Sequence, residues 1–180
     1  MYFMKKIKVN HFVIFFCLAA FVLTTNSCKK DLNGFRLTYY TNFKILAGVS
    51  VFETQYIDLP TINSELEFYA NQNGYKVSDL KKIYPNVARL RAYPQSYNLG
   101  FIEWMKIFII PQDPTIAPIV IFDKVNNNTI KSDNFELLPW ESNYLDELKT
   151  GKFKIRLQLK YQNPPPSFID CSLDLLFQAE

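Results

Sequence analysis

The sequence predicts an all-β protein, an antiparallel β-sandwich with one or two short helices between its strands. Three observations carry this. Lys152–Gln162 alternates without a break: Phe153, Ile155, Leu157, Leu159 and Tyr161 are apolar or aromatic, and Lys152, Lys154, Arg156, Gln158 and Lys160 are polar. A period of two that strict puts one face of a strand in a core and the other in water. Aromatic and β-branched residues, which favour sheet, are abundant. Turn-forming residues recur at short intervals with no strand–helix–strand rhythm between them.

Taken in order, residues 28–42 read as a tether and 43–180 as the β-domain. Lys44–Val51 is a first apolar run. Ile62–Ala70 reads as a strand, with Glu65 and Glu67 on one face, broken at Asn71–Gly74. Ser78 is placed to cap a short helix over Asp79–Tyr84 that Pro85 stops. Val87–Tyr93 alternates, with Arg89 and Arg91 opposite Leu90. Met105–Ile110 and Ala117–Phe122 are nearly all apolar and are joined by Pro-Gln-Asp-Pro-Thr, which predicts a hairpin of buried strands. Asp123–Thr129 reads as an exposed loop. Ser142 is placed to cap a helix over Asn143–Lys149, with Gly151 available to end it. After Lys152–Gln162, Asn163-Pro-Pro-Pro cannot continue a ladder, because proline lacks the donor. Phe168–Gln178 returns with Ile169, Cys171, Leu173, Leu175 and Phe177 inward. Asp170 and Asp174 face out, and a hairpin would set them against the lysines of the preceding strand.

The first residues follow a different logic. Lys5, Lys6 and Lys8 precede an apolar run, Phe12–Leu23, and then Thr24-Thr25-Asn26-Ser27-Cys28. Basic, apolar and small segments in that order make a secretory signal, and the run falls short of the ~20 residues of a spanning helix. Leu-Thr-Thr-Asn-Ser-Cys resembles the lipobox of bacterial lipoproteins, departing from the commonest pattern at Thr25, where leucine is usual. The resemblance implies cleavage before Cys28, acylation of that cysteine and anchorage in a bilayer. Lys29 after the cysteine leans towards the outer membrane, on either of its sides. Met4, opening Met-Lys-Lys-Ile-Lys, is an alternative start to Met1.

Cleavage there removes 27 of 180 residues, three of the 20 basic ones, none of the 17 acidic ones and the single histidine, His11. What remains is electrically balanced, so no general attraction to nucleic acid is expected. Without histidine it can build neither a Ser-His-Asp nor a Cys-His arrangement, nor a histidine-ligated zinc site. Cys17 leaves with the signal and Cys28 takes lipid, so Cys171 stands alone as a buried small residue. The scattered glycines form no phosphate loop, and Asp113, Asp123 and Asp133 are too far apart for a calcium loop. No cofactor and no metal is expected.

Three candidate surfaces remain. Glu65 and Glu67 are the best carboxylate pair for a glycoside hydrolase, but alternating acids with Arg89 and Arg91 nearby also suit an ordinary wet sheet face. Lys152, Lys154, Arg156 and Lys160 form a basic stripe suited to anionic headgroups or an acidic polymer, or to a solvated face balanced by Asp170 and Asp174. Tyr75, Tyr97, Trp140 and Tyr144 lie near turns, where rings stack on sugars or peptides. Trp104 sits beside a buried strand and reads as core. The strand pattern resembles the small immunoglobulin-like domains of uncharacterised envelope lipoproteins, which implies a fold and no particular chemistry. The expectation is a non-enzymatic, lipid-anchored envelope protein that binds an envelope protein or a polysaccharide. A carbohydrate- or peptide-binding accessory module is the alternative, and a hydrolase is a third reading.

Overall fold

The computed structural model describes residues 34–93, 98–125 and 134–180. Among them are nine strands: β1 (Phe35–Ile45), β2 (Gln55–Asp58), β3 (Ile62–Asn63), β4 (Ile83–Tyr93), β5 (Ile102–Ile110), β6 (Ile119–Val125), β7 (Asn134–Pro139), β8 (Lys152–Tyr161) and β9 (Ile169–Ala179). Two short helices, α1 (Leu66–Gln72) and α2 (Leu145–Lys149), lie between them. All pairings are antiparallel. The expected all-β sandwich with short helices is the observed architecture.

Its connectivity is not that of an immunoglobulin domain. The strand order is β1-β9-β4-β7-β6-β5-β8-β2, with β3 also on β8. Four pairs build it: β5 with β6, β4 with β7, β2 with β8 and β1 with β9. These are the successive rungs of one long antiparallel ribbon turning between β5 and β6. Rolled up, the ribbon places β1-β9-β4-β7 in one sheet and β2-β8-β5-β6 in the other, the two-Greek-key arrangement of a jelly roll. An immunoglobulin sandwich instead orders its sheets A-B-E-D and C-F-G. Strand β7 serves both sheets: its first half pairs with β4 and its last residues with β6.

The core is the space between the sheets. Leu37, Tyr39, Leu90, Leu173, Leu175 and Phe177 line it from one side, and Met105, Ile107, Phe122, Ile155, Leu157 and Leu159 from the other. Rings bridge the layers. Tyr39 meets Phe153 edge-on at 5.1 Å between centroids, and Phe177 meets Phe122 at 5.9 Å, the tilted geometry that aromatic quadrupoles favour. The Tyr39 hydroxyl donates to the Ser64 carbonyl at 2.7 Å, with both residues buried.

Several local expectations need correction. β1 begins at Phe35, so residues 35–42, expected in the tether, belong to the β-domain, and Leu46–Val51 lie beyond that strand. Only Ile62–Asn63 of Ile62–Ala70 is strand; the rest becomes α1, whose buried residues Leu66 and Ala70 lie four apart, a spacing that also fits a helix face. The helix expected over Asp79–Tyr84 is a single 3-10 turn, Val77–Asp79, and Pro85 sits inside β4 at a register shift, where a missing donor is tolerated. Asp123–Val125, expected in a loop, extend β6; residues 126–133 lie outside the described ones. Asn143 rather than Ser142 receives the first helical N–H: its Oδ1 accepts from Leu145 at 3.1 Å and from Ile83 at 3.0 Å. Gly151, at φ 81°, follows α2 as expected.

β8 and β9 are not a hairpin. The proline loop between them carries the chain from one sheet to the other, so β9 lies between β1 and β4 while β8 lies between β5 and β2. Asp170 and Asp174 therefore face Lys44 and Arg91, not the β8 lysines.

Candidate functional site

Alternation along β1, β9 and β4 turns one set of side chains inward and the other onto the outer face of that sheet. Register aligns the outer set in rows: Tyr40, Asp174, Arg89 and Glu136; then Asn42, Ser172, Arg91 and Asn134; then Lys44, Asp170 and Tyr93. Beyond the last row come Leu46 and Phe168, in the same outward phase. Four large apolar or aromatic side chains are thus exposed on this face: Tyr40 at 74%, Tyr93 at 68%, Phe168 at 62% and Leu46 at 54%. Burying nothing, they add little to folding.

Charges lie between the rings, and they are matched. Arg91 Nη2 is 3.0 Å from Asp174 Oδ2, Arg89 Nε is 3.0 Å from Glu136 Oε2, and Lys44 Nζ is 3.3 Å from Asp170 Oδ1. Asp174 is nearly buried and holds the Arg91 guanidinium in place. A cleft of about 570 Å³ opens among Asn42, Lys44, Tyr93, Asp170 and Ser172, with Phe43 and Cys171 completing its lining. That size suits a small ligand or a segment of a polymer. Burial pushes the Cys171 thiol up to about 12, so it is a packing group there and not a nucleophile.

The aromatics singled out in the sequence do not converge. Trp140 is 51% exposed just after β7, and its backbone N–H donates to the Ile121 carbonyl. Tyr144 is buried, with its hydroxyl donating to the Val120 carbonyl at 2.8 Å. Tyr75 packs its ring on Phe35 at 5.4 Å. Tyr97 and Cys28 lie outside the described residues. The exposed tyrosines among the described residues are instead strand residues: Tyr40 and Tyr93 on this face, and Tyr56 on β2 of the other sheet. Their signal was present in the sequence: each continues the polar phase of an alternating strand, where a large ring has no core to enter.

Glu65 and Glu67 line a second, wider cleft of about 690 Å³ together with Lys76, Lys149 and Gly151. Arg89 and Arg91 are committed elsewhere, as above. Glu65 is the N-cap of α1, in the left-handed region at φ 45°, and Glu67 lies in the first turn. Two positions apart on a helix, side chains point different ways, so they do not form the opposed carboxylate pair that glycoside hydrolysis uses.

The basic stripe occupies the outer face of the other sheet. Arg156 is held by Asp58, Nε to Oδ1 at 2.5 Å and Nη2 to Oδ2 at 2.9 Å, which draws the Asp58 carboxyl below its ordinary range. Among the described residues no ion pair involves Lys152, Lys154 or Lys160. Trp104, expected in the core, is partly exposed there opposite Lys160, with Lys106 Nζ 5.9 Å from its ring. Asp123, opposite Lys106 in register, offsets part of the positive charge on this face.

No family model matches the chain, and no curated protein matches it. Among solved structures it is similar to the decameric BFDV capsid protein, at 16% identity and a TM-score of 0.36, over 81% of this chain and 98% of that one. Among the described residues no helix is long and apolar enough to cross a membrane, and no cluster of three or more metal-ligating side chains occurs.

Proposed function

We propose that this protein is a lipid-anchored envelope module that binds a partner without catalysing its conversion, and that the outer face of the β1-β9-β4 sheet is its binding surface. The observation that carries the reading is the set of exposed Tyr40, Tyr93 and Phe168 rings on one sheet face, with a cleft beside Tyr93 and the charges between the rings internally paired. Apolar groups left in water on a rigid sheet, rimmed by polar groups, mark an interaction surface. A site built on strands keeps its geometry without loop ordering.

The anchor rests on the residues around Cys28. Lys29–Gly34 separate that cysteine from β1, a reach of at most about 20–22 Å, so an acylated Cys28 would hold the domain close to its bilayer. Anchorage that lasts takes two or more acyl chains. Metabolic labelling with a radioactive fatty acid tests this. The wild-type chain takes up label and sediments with membranes, whereas Cys28→Ala loses both. Label retained in Cys28→Ala would refute the anchor. For the surface, a photo-crosslinking residue at position 93 should capture an envelope component in cells, and one at exposed Phe52 should not. Equal capture from both positions would refute the assignment of the face.

A further inference from the structure

We infer that the ligand of this face is a neutral polysaccharide lying across β1, β9 and β4. The inference rests on the reading of that face as a binding surface and adds the ligand's chemistry. Three features argue for it.

First, every charged group in the central rows has an opposite charge at 3.0 to 3.3 Å: Lys44 with Asp170, Arg89 with Glu136, and Arg91 with Asp174. An acidic or basic ligand finds its counter-charge here already neutralised, so it gains little net attraction. A polyol needs no net charge, and each carboxylate keeps acceptor sites and each guanidinium keeps donors for its hydroxyl groups.

Second, the exposed rings stand apart. By strand spacing and rise, the Tyr40 and Tyr93 backbones are about 16 Å apart, two strands over and four residues along. Phe168 is about 8 Å from Tyr93 by the same reckoning. Paired charges, Asn42 and Ser172 fill the gaps. A protein partner wants a contiguous apolar centre with charges depleted. Separate rings with hydrogen-bonding groups between them suit a ligand that alternates apolar ring faces with hydroxyls, as linked pyranoses do. Its reach must span about 16 Å, so the ligand is a chain and not a single sugar.

Third, the platform is stiff. Arg91 lies on nearly buried Asp174, and all three strands sit in the middle or at the end of a continuous ladder. Little side-chain freedom is lost when a flexible polymer settles on it, and that loss is a main cost of binding.

The test is affinity electrophoresis of the detergent-solubilised full-length protein through gels containing a β-glucan, an α-mannan, a xylan, a polygalacturonate or no polymer, with vesicles of anionic phosphatidylglycerol assayed separately. Expected is retardation by at least one neutral polymer, unchanged at 0.5 M salt and weakened tenfold or more by Tyr93→Ala. Tyr93→Phe should keep most of it, since the ring face remains. Lys154→Glu with Lys160→Glu, on the opposite sheet, should leave it unchanged. Retardation by polygalacturonate alone, abolished by salt and by the β8 variants, would overturn the inference and move the site to the basic stripe. Binding to vesicles alone would overturn it in favour of headgroups. If no polymer retards the chain, the glycan assignment fails; capture of a protein from position 93 would then keep this face as a binding surface, and no capture would end both.

Discussion

Replacing Tyr39 with phenylalanine removes one oxygen from the middle of the molecule and should cost more than its size suggests. The hydroxyl donates to the Ser64 carbonyl at 2.7 Å, both residues are buried, and the tyrosine ring packs on Phe153, Tyr69 and Phe177. Phenylalanine keeps every ring contact, so the hydrophobic term stays nearly constant and the change isolates the hydrogen bond. A typical intramolecular hydrogen bond is worth about 0.5–1.5 kcal/mol net, but a buried acceptor left bare costs about 1–3 kcal/mol. Ser64 is 1% exposed, so water does not replace the lost donor. We expect a loss of about 2 kcal/mol, or roughly 4–8 °C in melting temperature at 2–4 °C per kcal/mol for a chain of this size. Tyr69→Phe is the control. Its hydroxyl donates to the Thr38 carbonyl at 2.8 Å in a partly open setting, so about 0.5–1 kcal/mol should go. Urea denaturation followed by tryptophan fluorescence measures both. Equal losses at positions 39 and 69, or none at 39, would show that the Tyr39–Ser64 link is solvated and that the reasoning from burial is wrong.

Two further outcomes concern protons and thiols. Burial raises the Cys171 thiol to about 12, so peptide mapping should find it unmodified by a disulfide reagent at pH 8 in the folded protein and fully modified in urea. Because the folded value lies above the unfolded value of about 8.5, the stability this thiol contributes is present below that pH and declines as pH rises towards 12; Cys171→Ala should flatten the alkaline loss, and an unchanged alkaline limb would count against the assignment. Asp58 is shifted the other way by its hydrogen bonds from Arg156. Its contribution is present above the unfolded carboxylate value of about 3.9 and fades as pH falls through the lower folded value. The pair is well exposed, so Asp58→Asn should lose no more than about 1 kcal/mol at pH 7. The gap from wild type in urea titrations should narrow as pH falls below the unfolded carboxylate value, and a gap that stays constant across the acid range would mean the loss is not electrostatic.

How much of this was legible depended on whether a residue pattern had a single structural solution. Lys152–Tyr161 did: five buried and five outward side chains in strict alternation fit a strand and nothing else. The β5–β6 hairpin was equally plain, because two apolar runs flank a turn too short for anything but reversal. Ile62–Ala70 had two solutions, since alternate apolar residues also place Leu66 and Ala70 one helical turn apart, and the helix won. Phe35–Asn42 was less plain although Phe35, Leu37 and Tyr39 alternate inward, because Tyr40 in the outward phase and Thr41 in the inward one blur the alternation. The partner of β9 was not legible at all. Neighbours in sequence favour a hairpin, and only the three-dimensional wrap shows that Asn163–Ser167 crosses between sheets. The proposed binding face followed from the same wrap: Tyr40 and Tyr93 are far apart in the chain and share a sheet face only because β9 pairs with both of their strands.

That position of β9 also sets the order in which the molecule can assemble. The strand made last among those described is not an edge but the partner of both β1 and β4, so the sheet that carries the tyrosines has a gap at its centre until those residues arrive. While the gap lasts, β1 and β4 expose two unpaired ladders of the kind that recruits other chains. Pairing across this separation in sequence is also intrinsically slow. A nascent chain of this protein is therefore most vulnerable to misassembly after β4 has emerged and before β9 has, and whatever shields it has to stay until β9 is in place.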